Sequence, residues 1–222
     1  MLKETLPSLL MESAWQFFKD LLDPTSIVQL GLPLLLFVIF AETGLLVGFF
    51  LPGDSLVFLS GLFCATKNQY LGVNLIVLIL CMAAAAILGN IVGYLFGKKV
   101  GEKLYTRKDS FFFKQRHLTA TKAFYDKHGG RTLILGRFLP YIRTFAPILA
   151  GVIRVDMKRF MAYNVIGAFA WIGSICSIGY FLGQIFPGIE NYLGWIIVGF
   201  IVITTVPVII TYQKEKKKAA QK

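Results

Sequence analysis

The sequence predicts an all-α polytopic membrane protein, an inverted repeat in which two opposed re-entrant hairpins are combined with transmembrane helices. Three observations carry that expectation. The 222 residues are 56% AVILMFWYC, 14% aromatic and only 16% charged, more apolar and less charged than a water-soluble domain. The apolar residues gather in long stretches with almost no charge, which need lipid as solvent. The basic residues gather between those stretches, and keeping them on one side requires some stretches to enter and return. A soluble enzyme, a disordered chain and a nucleic-acid-binding domain are excluded. The net charge of +11 sits mostly in one loop and the tail, which makes the anionic inner leaflet the expected partner.

Residues 1–26 lack the basic start, short apolar core and small-residue cleavage site of a signal peptide, so no cleaved leader is expected. Leu6, Leu9, Leu10, Phe17, Phe18 and Leu21 recur at helical spacing among charged residues until Asp23-Pro24, as in a helix lying in the interface. Residues 27–66 carry only Glu42 and Asp54 as charges, with Pro52-Gly53 near the middle. The arm after Pro52 is shorter than the about 20 residues of a full span, so a re-entrant hairpin broken at Leu51-Pro52-Gly53 is expected. Residues 73–97 read as an uninterrupted span. Gly89, Gly93, Gly97 and Gly101 recur at four-residue steps, a stripe that permits close helix approach within the chain or in a homodimer.

Residues 98–131 hold ten of the 23 Lys and Arg against three acids, which marks a cytoplasmic loop. His117 and His128 fall there and read as solvated loop residues. Residues 132–153 are apolar apart from Arg137 and Arg143 and are interrupted by Pro140 and Pro147. A single crossing would place Arg154, Lys158 and Arg159, and the tail with Lys214, Lys216, Lys217, Lys218 and Lys222, outside. A second re-entrant hairpin keeps all of them cytoplasmic. Residues 160–186 then cross outward, 192–212 return, and 213–222 form a basic cytoplasmic tail. Trp171 and Trp195 read as interfacial anchors or packing residues. Phe50-Leu51-Pro52 is echoed by Phe138-Leu139-Pro140 after 88 residues, and Gly93-Tyr94-Leu95-Phe96-Gly97 by Gly179-Tyr180-Phe181-Leu182-Gly183 after 86. Each half therefore reads as interfacial helix, hairpin and span, inverted relative to the other.

That architecture brings Glu42 and Asp54 of one hairpin towards Arg137 and Arg143 of the other. Each such charge costs roughly 2.5–3.5 kcal/mol at the bilayer centre, so four of them need a reason. Buried salt bridges between hairpins are one reading. The other is a polar midplane cavity, in which the two guanidinium groups suit phosphate oxygens and the two carboxylates take up protons. Helix breaks at Pro52-Gly53 and Pro147 would aim backbone dipoles into it. Cys64, Cys81 and Cys176 share no metal-ligand or disulfide spacing, and no cofactor is expected.

Glu42-Thr43-Gly44, Phe50-Leu51-Pro52-Gly53-Asp54, Gly89-Asn90 with Gly93-Tyr94, and Tyr125-Asp126-Lys127-His128-Gly129-Gly130 follow one another along the chain. They are followed by Gly136-Arg137-Phe138-Leu139-Pro140, Arg143-Thr144-Phe145-Ala146-Pro147, Ala150-Gly151, and Tyr163-Asn164 with Gly167 and Trp171. In order and spacing these resemble the DedA family of bacterial inner-membrane proteins, over almost the whole chain. The resemblance implies two opposed re-entrant hairpins, a fold shared with eukaryotic VTT-domain lipid scramblases. It also implies lipid translocation driven by the proton-motive force, especially recycling of undecaprenyl phosphate for envelope synthesis. Glu42 and Asp54 match the family's membrane acids, Arg137 and Arg143 its essential arginines. Pro52, Gly53, Pro140, Pro147, Gly89, Gly93 and Asn164 are read as hairpin-break and packing residues.

Three function classes compete. A lipid-phosphate transporter accounts for the arginines, the acids and the hairpins together. A proton- or sodium-coupled carrier of a small solute or drug shares the acids and hairpins but explains the arginines less well, because they repel a cationic solute. An enzyme is not expected: the chain has no Ser/His/Asp constellation and no HExxH helix.

Overall fold

The computed structural model describes residues 23–45, 53–66, 70–105, 137, 140–186, 188–192, 194–196 and 199. Its six α-helices in that set are α1 (Pro24–Gln29), α2 (Leu32–Gly44), α3 (Gly53–Thr66), α4 (Leu75–Tyr105), α5 (Pro140–Val152) and α6 (Met157–Ile185), followed by a 3-10 turn at Ile189–Tyr192. Among the described residues there is no strand. The interfacial helix expected before Asp23, the loop histidines, Pro52, most of 192–212 and the tail lie outside the described residues.

Local chemistry sets the helix ends. Asp23 caps α1, its carboxylate accepting from Thr25 N–H and Ser26 N–H at 3.2 Å, with Pro24 in the first turn. Asn74 Oδ1 accepts from Val77 N–H at 2.9 Å at the start of α4, and Asp156 Oδ2 from Arg159 N–H at 3.1 Å at the start of α6. The hydroxyls of Thr43 and Ser60 donate to the carbonyls of Ile39 (2.8 Å) and Leu56 (2.7 Å), satisfying polar groups within apolar helices. α5 closes through Val155 N–H to Ala150 O and Arg154 N–H to Gly151 O, which holds Arg154 at φ 54°, a left-handed cap where glycine is usual.

Two expected boundaries shift. α4 continues to Tyr105, so the first part of the basic 98–131 segment is helical rather than loop. The helix break expected at Pro147 does not occur: α5 starts at Pro140 and runs through Pro147, which sits inside it. Proline removes one N–H from the ladder, and the helix accommodates that loss because its neighbours hold it in place.

α4 and α6, of 31 and 29 residues, exceed the about 20 residues needed to cross a bilayer. Their outer faces expose Ile76, Leu80 and Leu88, and Ile166, Phe181 and Ile185, as lipid contact requires. α2, α3 and α5, of 13 or 14 residues, are about 20 Å long and too short to cross alone.

Glycines set the packing. On the α4 stripe, a Cβ on Gly44 of α2 would come within 2.6 Å of Gly89 O, Gly97 lies on Ile148 of α5, and a Cβ on Gly101 would meet Val152 at 2.9 Å. Gly93 is looser: a Cβ there would lie 3.5 Å from Gly44 O and from Ile148, an ordinary contact. On the other side Gly61 of α3 lies on the Cys176 carbonyl and Gly179 of α6 on the Phe58 carbonyl. Backbone thus meets backbone at α2–α4, α4–α5 and α3–α6, and the α4 stripe serves packing within the chain. The core between them is filled by Trp171, Ile172, Leu56, Phe63, Leu78 and Met82.

The elements share two ends and a middle. Gly31, before α2, lies beside Tyr70, and Cys64, near the end of α3, lies 3.4 Å from the Val73 carbonyl. The ends of α2 and α3 remote from the site therefore sit together at the start of α4, where Gly183 of α6 also packs on Leu62. At the opposite end the C-terminus of α5 meets the last turns of α4. The C-terminus of α2 and the N-termini of α3 and α5 converge between them.

Candidate anion and proton site

The convergence assembles the charges. Glu42 occupies the last turn of α2 and is buried, and Asp54 opens the first turn of α3. The Glu42 carboxylate abuts Gly53, so that a Cβ there would push the carboxylate out of its present place beside Arg143. A carboxylate at a helix N-terminus is favoured by the exposed N–H groups. Arg143 of α5, 3% exposed, donates Nη2 to Glu42 Oε1 and Nη1 to Asp54 Oδ1 at 2.6 Å, so one guanidinium bridges two carboxylates from two helices. Trp171 of α6 completes the cluster: its Nε1–H donates to Asp54 Oδ1 at 2.8 Å and its ring lies 4.2 Å from the Arg143 guanidinium carbon.

Arg137 is placed differently. It is 3% exposed and donates Nη2 to Asn164 Oδ1, and among the described residues no carboxylate faces it. Asn164 Nδ2 in turn donates to Ile87 O at 3.2 Å. Asn90 lies 2.9 Å from Asn164 Oδ1; with its amide turned over, its nitrogen donates to Thr43 O at 3.0 Å and its oxygen accepts from Arg137. Among the described residues three buried polar atoms make no hydrogen bond: Glu42 Oε2, Arg137 Nη1 and Arg143 Nε. Arg137 and Arg143 line one small cleft with Asn90, Asn164, Pro147 and Phe160, with room for roughly one water molecule. Among the described residues no three His, Cys, Asp or Glu side chains form a metal-ligating group.

Of the residues read from the sequence, Glu42, Asp54 and Arg143 meet directly, while Arg137 shares the cleft but rests on amides. Gly53 and Pro140 begin helices, Gly89 packs α2 on α4, and Asn164 is a site residue as well as a packing one. Trp171 is fully buried at the cluster, whereas Trp195 is 78% exposed. The position of Asn90 had a signal in the sequence: an amide within an otherwise apolar span needs a polar partner.

Two apolar spanning helices, three shorter helices converging on a buried ionic cluster, and lipid-type outer faces define a polytopic α-helical membrane protein. Residues 51–181 match the VTT domain. The chain is similar to Protein DedA of Escherichia coli (strain K12), 43% identical over 188 residues that cover 85% of this chain and 84% of that protein. It is also similar to the uncharacterized membrane protein ML0287 of Mycobacterium leprae, at 40% identity with 81% and 78% covered, and to inner membrane protein YqjA of E. coli (strain K12), at 31% with 79% and 78% covered. The chain belongs to the DedA family of VTT-domain membrane proteins. No solved structure matches it.

Proposed function

We propose that the chain is a proton-coupled transporter of a lipid phosphate in the bacterial inner membrane, with undecaprenyl phosphate as the cargo that its family resemblance suggests. The observation that carries the reading is Arg137: a buried guanidinium that, among the described residues, faces no carboxylate and has one Nη without a hydrogen bond, with a place in the cleft. A buried cation lacking a counter-charge is costly, and an anion that enters with good geometry relieves it.

Charge balance suggests the coupling. With both acids ionised, Glu42, Asp54, Arg137 and Arg143 sum to zero. A phosphate on Arg137 leaves the interior negative, and a proton on Glu42 or Asp54 restores neutrality. Bound anion and bound proton then favour each other, which is reciprocal linkage. Because the cleft holds about one water molecule, a phosphate requires it to open, so this conformation reads as occluded.

The path of the short helices supports opposed re-entrant hairpins. α2 and α3 have their remote ends together at the start of α4 and their near ends at the site. α5 runs from the site to the opposite end. Gly97 and Gly183, at the same place in the pentapeptide echo, each receive the short helix of the other half. Such an inverted pair with a site between its halves suits alternating access.

The test is translocation of undecaprenyl phosphate by the purified chain in proteoliposomes, with an imposed proton gradient and with phosphate release followed in parallel. Gradient-stimulated translocation without phosphate release is expected. Release of phosphate, or transport of a small solute with none of the lipid, overturns the reading.

A further inference from the structure

The exposed basic side chains of the described residues gather at one end of the protein. Lys98 and Lys99 lie on α4, Arg154 in the turn between α5 and α6, and Lys158 and Arg159 in the first turn of α6, and all five are exposed. Three contacts bind these segments together. Gly151 of α5 lies against Tyr94 and Lys98 of α4, Tyr94 Oη–H donates to the Val155 carbonyl at 2.6 Å, and the Tyr94 ring stacks on Phe160 at 4.6 Å between centroids. The five cations are thus neighbours on one rim although they span some sixty residues of sequence. Asp156 lies on this rim and caps α6 by accepting from Arg159 N–H, and Glu102 follows Gly101 in α4, so the described acids here number two against the five exposed cations. At the other end, around Gly31, Thr66, Val73 and Gly183, the described residues include no Lys or Arg.

The rim is close to the cleft but separate from it. Asn90 lies about 12 Å along α4 from Lys98, and Asn164 about 8 Å along α6 from Arg159. Phe160 lines the cleft and also stacks on Tyr94, and both rings are buried, so this aromatic pair stands between rim and cleft.

We propose that Lys98, Lys99, Arg154, Lys158 and Arg159 form a docking collar for the headgroups of anionic phospholipids in the leaflet at that end. The fit is one of charge and depth. Five cations at the ends of helices whose outer faces are apolar lie at headgroup level, where anionic lipids concentrate and each Lys or Arg adds to the attraction. The headgroup layer on the rim side of the Tyr94–Phe160 pair is then enriched in lipid phosphates. The collar depends on the membrane location of the chain and not on transport through Arg137.

The test uses the full chain reconstituted in phosphatidylcholine bilayers containing traces of spin-labelled phosphatidylglycerol or spin-labelled phosphatidylcholine, and reads the motionally restricted fraction of each. The wild type should select phosphatidylglycerol by about fivefold at low salt, a preference that largely disappears at molar salt. The combined Lys98→Gln, Lys99→Gln, Lys158→Gln and Arg159→Gln variant should lose most of the preference, and the Lys98→Gln/Lys99→Gln and Lys158→Gln/Arg159→Gln pairs should each lose part of it. Arg137→Gln should keep it, which separates failure of the collar from failure of the inner anion site. Retention of the preference in the four-site variant overturns the proposal. So does its loss on neutralising Lys214, Lys216, Lys217, Lys218 and Lys222 alone.

Discussion

Trp171 donates its indole N–H to Asp54 at 2.8 Å while its ring supports the guanidinium that Asp54 shares with Glu42. One side chain of α6 thereby fixes a carboxylate of α3 and a cation of α5. Trp171→Phe keeps the aromatic face and drops the N–H, removing one of the two donors to Asp54 Oδ1 and leaving the Arg143 contact. Transport in proteoliposomes should fall several-fold while thermal unfolding changes by only about 1–2 kcal/mol. Trp171→Ala removes ring and bond together, and the cavity should cost about 3–5 kcal/mol.

Arg143 bridges two carboxylates through two different nitrogens, which a single ammonium cannot reproduce. Arg143→Lys should insert and fold yet lose at least tenfold in transport. Arg143→Met leaves the two carboxylates without their cation and should destabilise the protein by about 3–5 kcal/mol, read as loss of folded material in detergent. Full transport by the lysine variant would show that only charge matters at this position.

Asp54→Asn separates coupling from structure. The amide still accepts from Trp171 and Arg143 but cannot carry the proton, so gradient-driven accumulation of the lipid phosphate should vanish while some downhill exchange persists. Wild-type transport that is unchanged when the gradient is collapsed would leave a passive scramblase.

Two glycines of α6 make a contrast. Gly179 lies against the Phe58 carbonyl, whereas a Cβ on Gly173 meets nothing within 4 Å. Gly179→Ala forces α3 and α6 apart and should destabilise by about 1–3 kcal/mol. Gly173→Ala should be neutral or stabilising by up to about 1 kcal/mol through helix propensity. Equal melting temperatures for the two variants would contradict the backbone contact.

Topology is open to chemical labelling. In a background lacking Cys64, Cys81 and Cys176, a cysteine at Lys158 and another after Lys214 should resist a membrane-impermeant thiol reagent in intact cells. One at Gly188, at the other end of α6, should react. Reaction at Lys158 would place the basic rim outside and remove the second hairpin.

Much of the protein was legible in the sequence because the signals are local. Uninterrupted apolar length marked α4 and α6, and the low number of apolar residues after Pro52 marked α3 as too short to cross. The depth of Glu42, Asp54, Arg137 and Arg143 in apolar segments marked them as belonging to a site, since a lone charge there is costly whatever its partner. Pro147 misled, because a proline's effect on a helix depends on what packs around it. α5, held against α4 along the glycine stripe, stays helical through that residue.

The sequence by itself therefore determined the membrane class and the two long apolar helices and singled out four charged residues as candidates for a site, all of which follow from hydropathy and spacing along the chain. Only the tertiary structure decided who meets whom. It gave both carboxylates to Arg143 and left Arg137 to Asn164. It put Trp171 under the ionic cluster rather than at the interface, and turned the α4 glycines to α2 and α5. Those pairings join residues up to 117 positions apart, as Trp171 and Asp54 are. They depend on side-chain reach and on how closely helices approach, quantities that a periodicity does not contain.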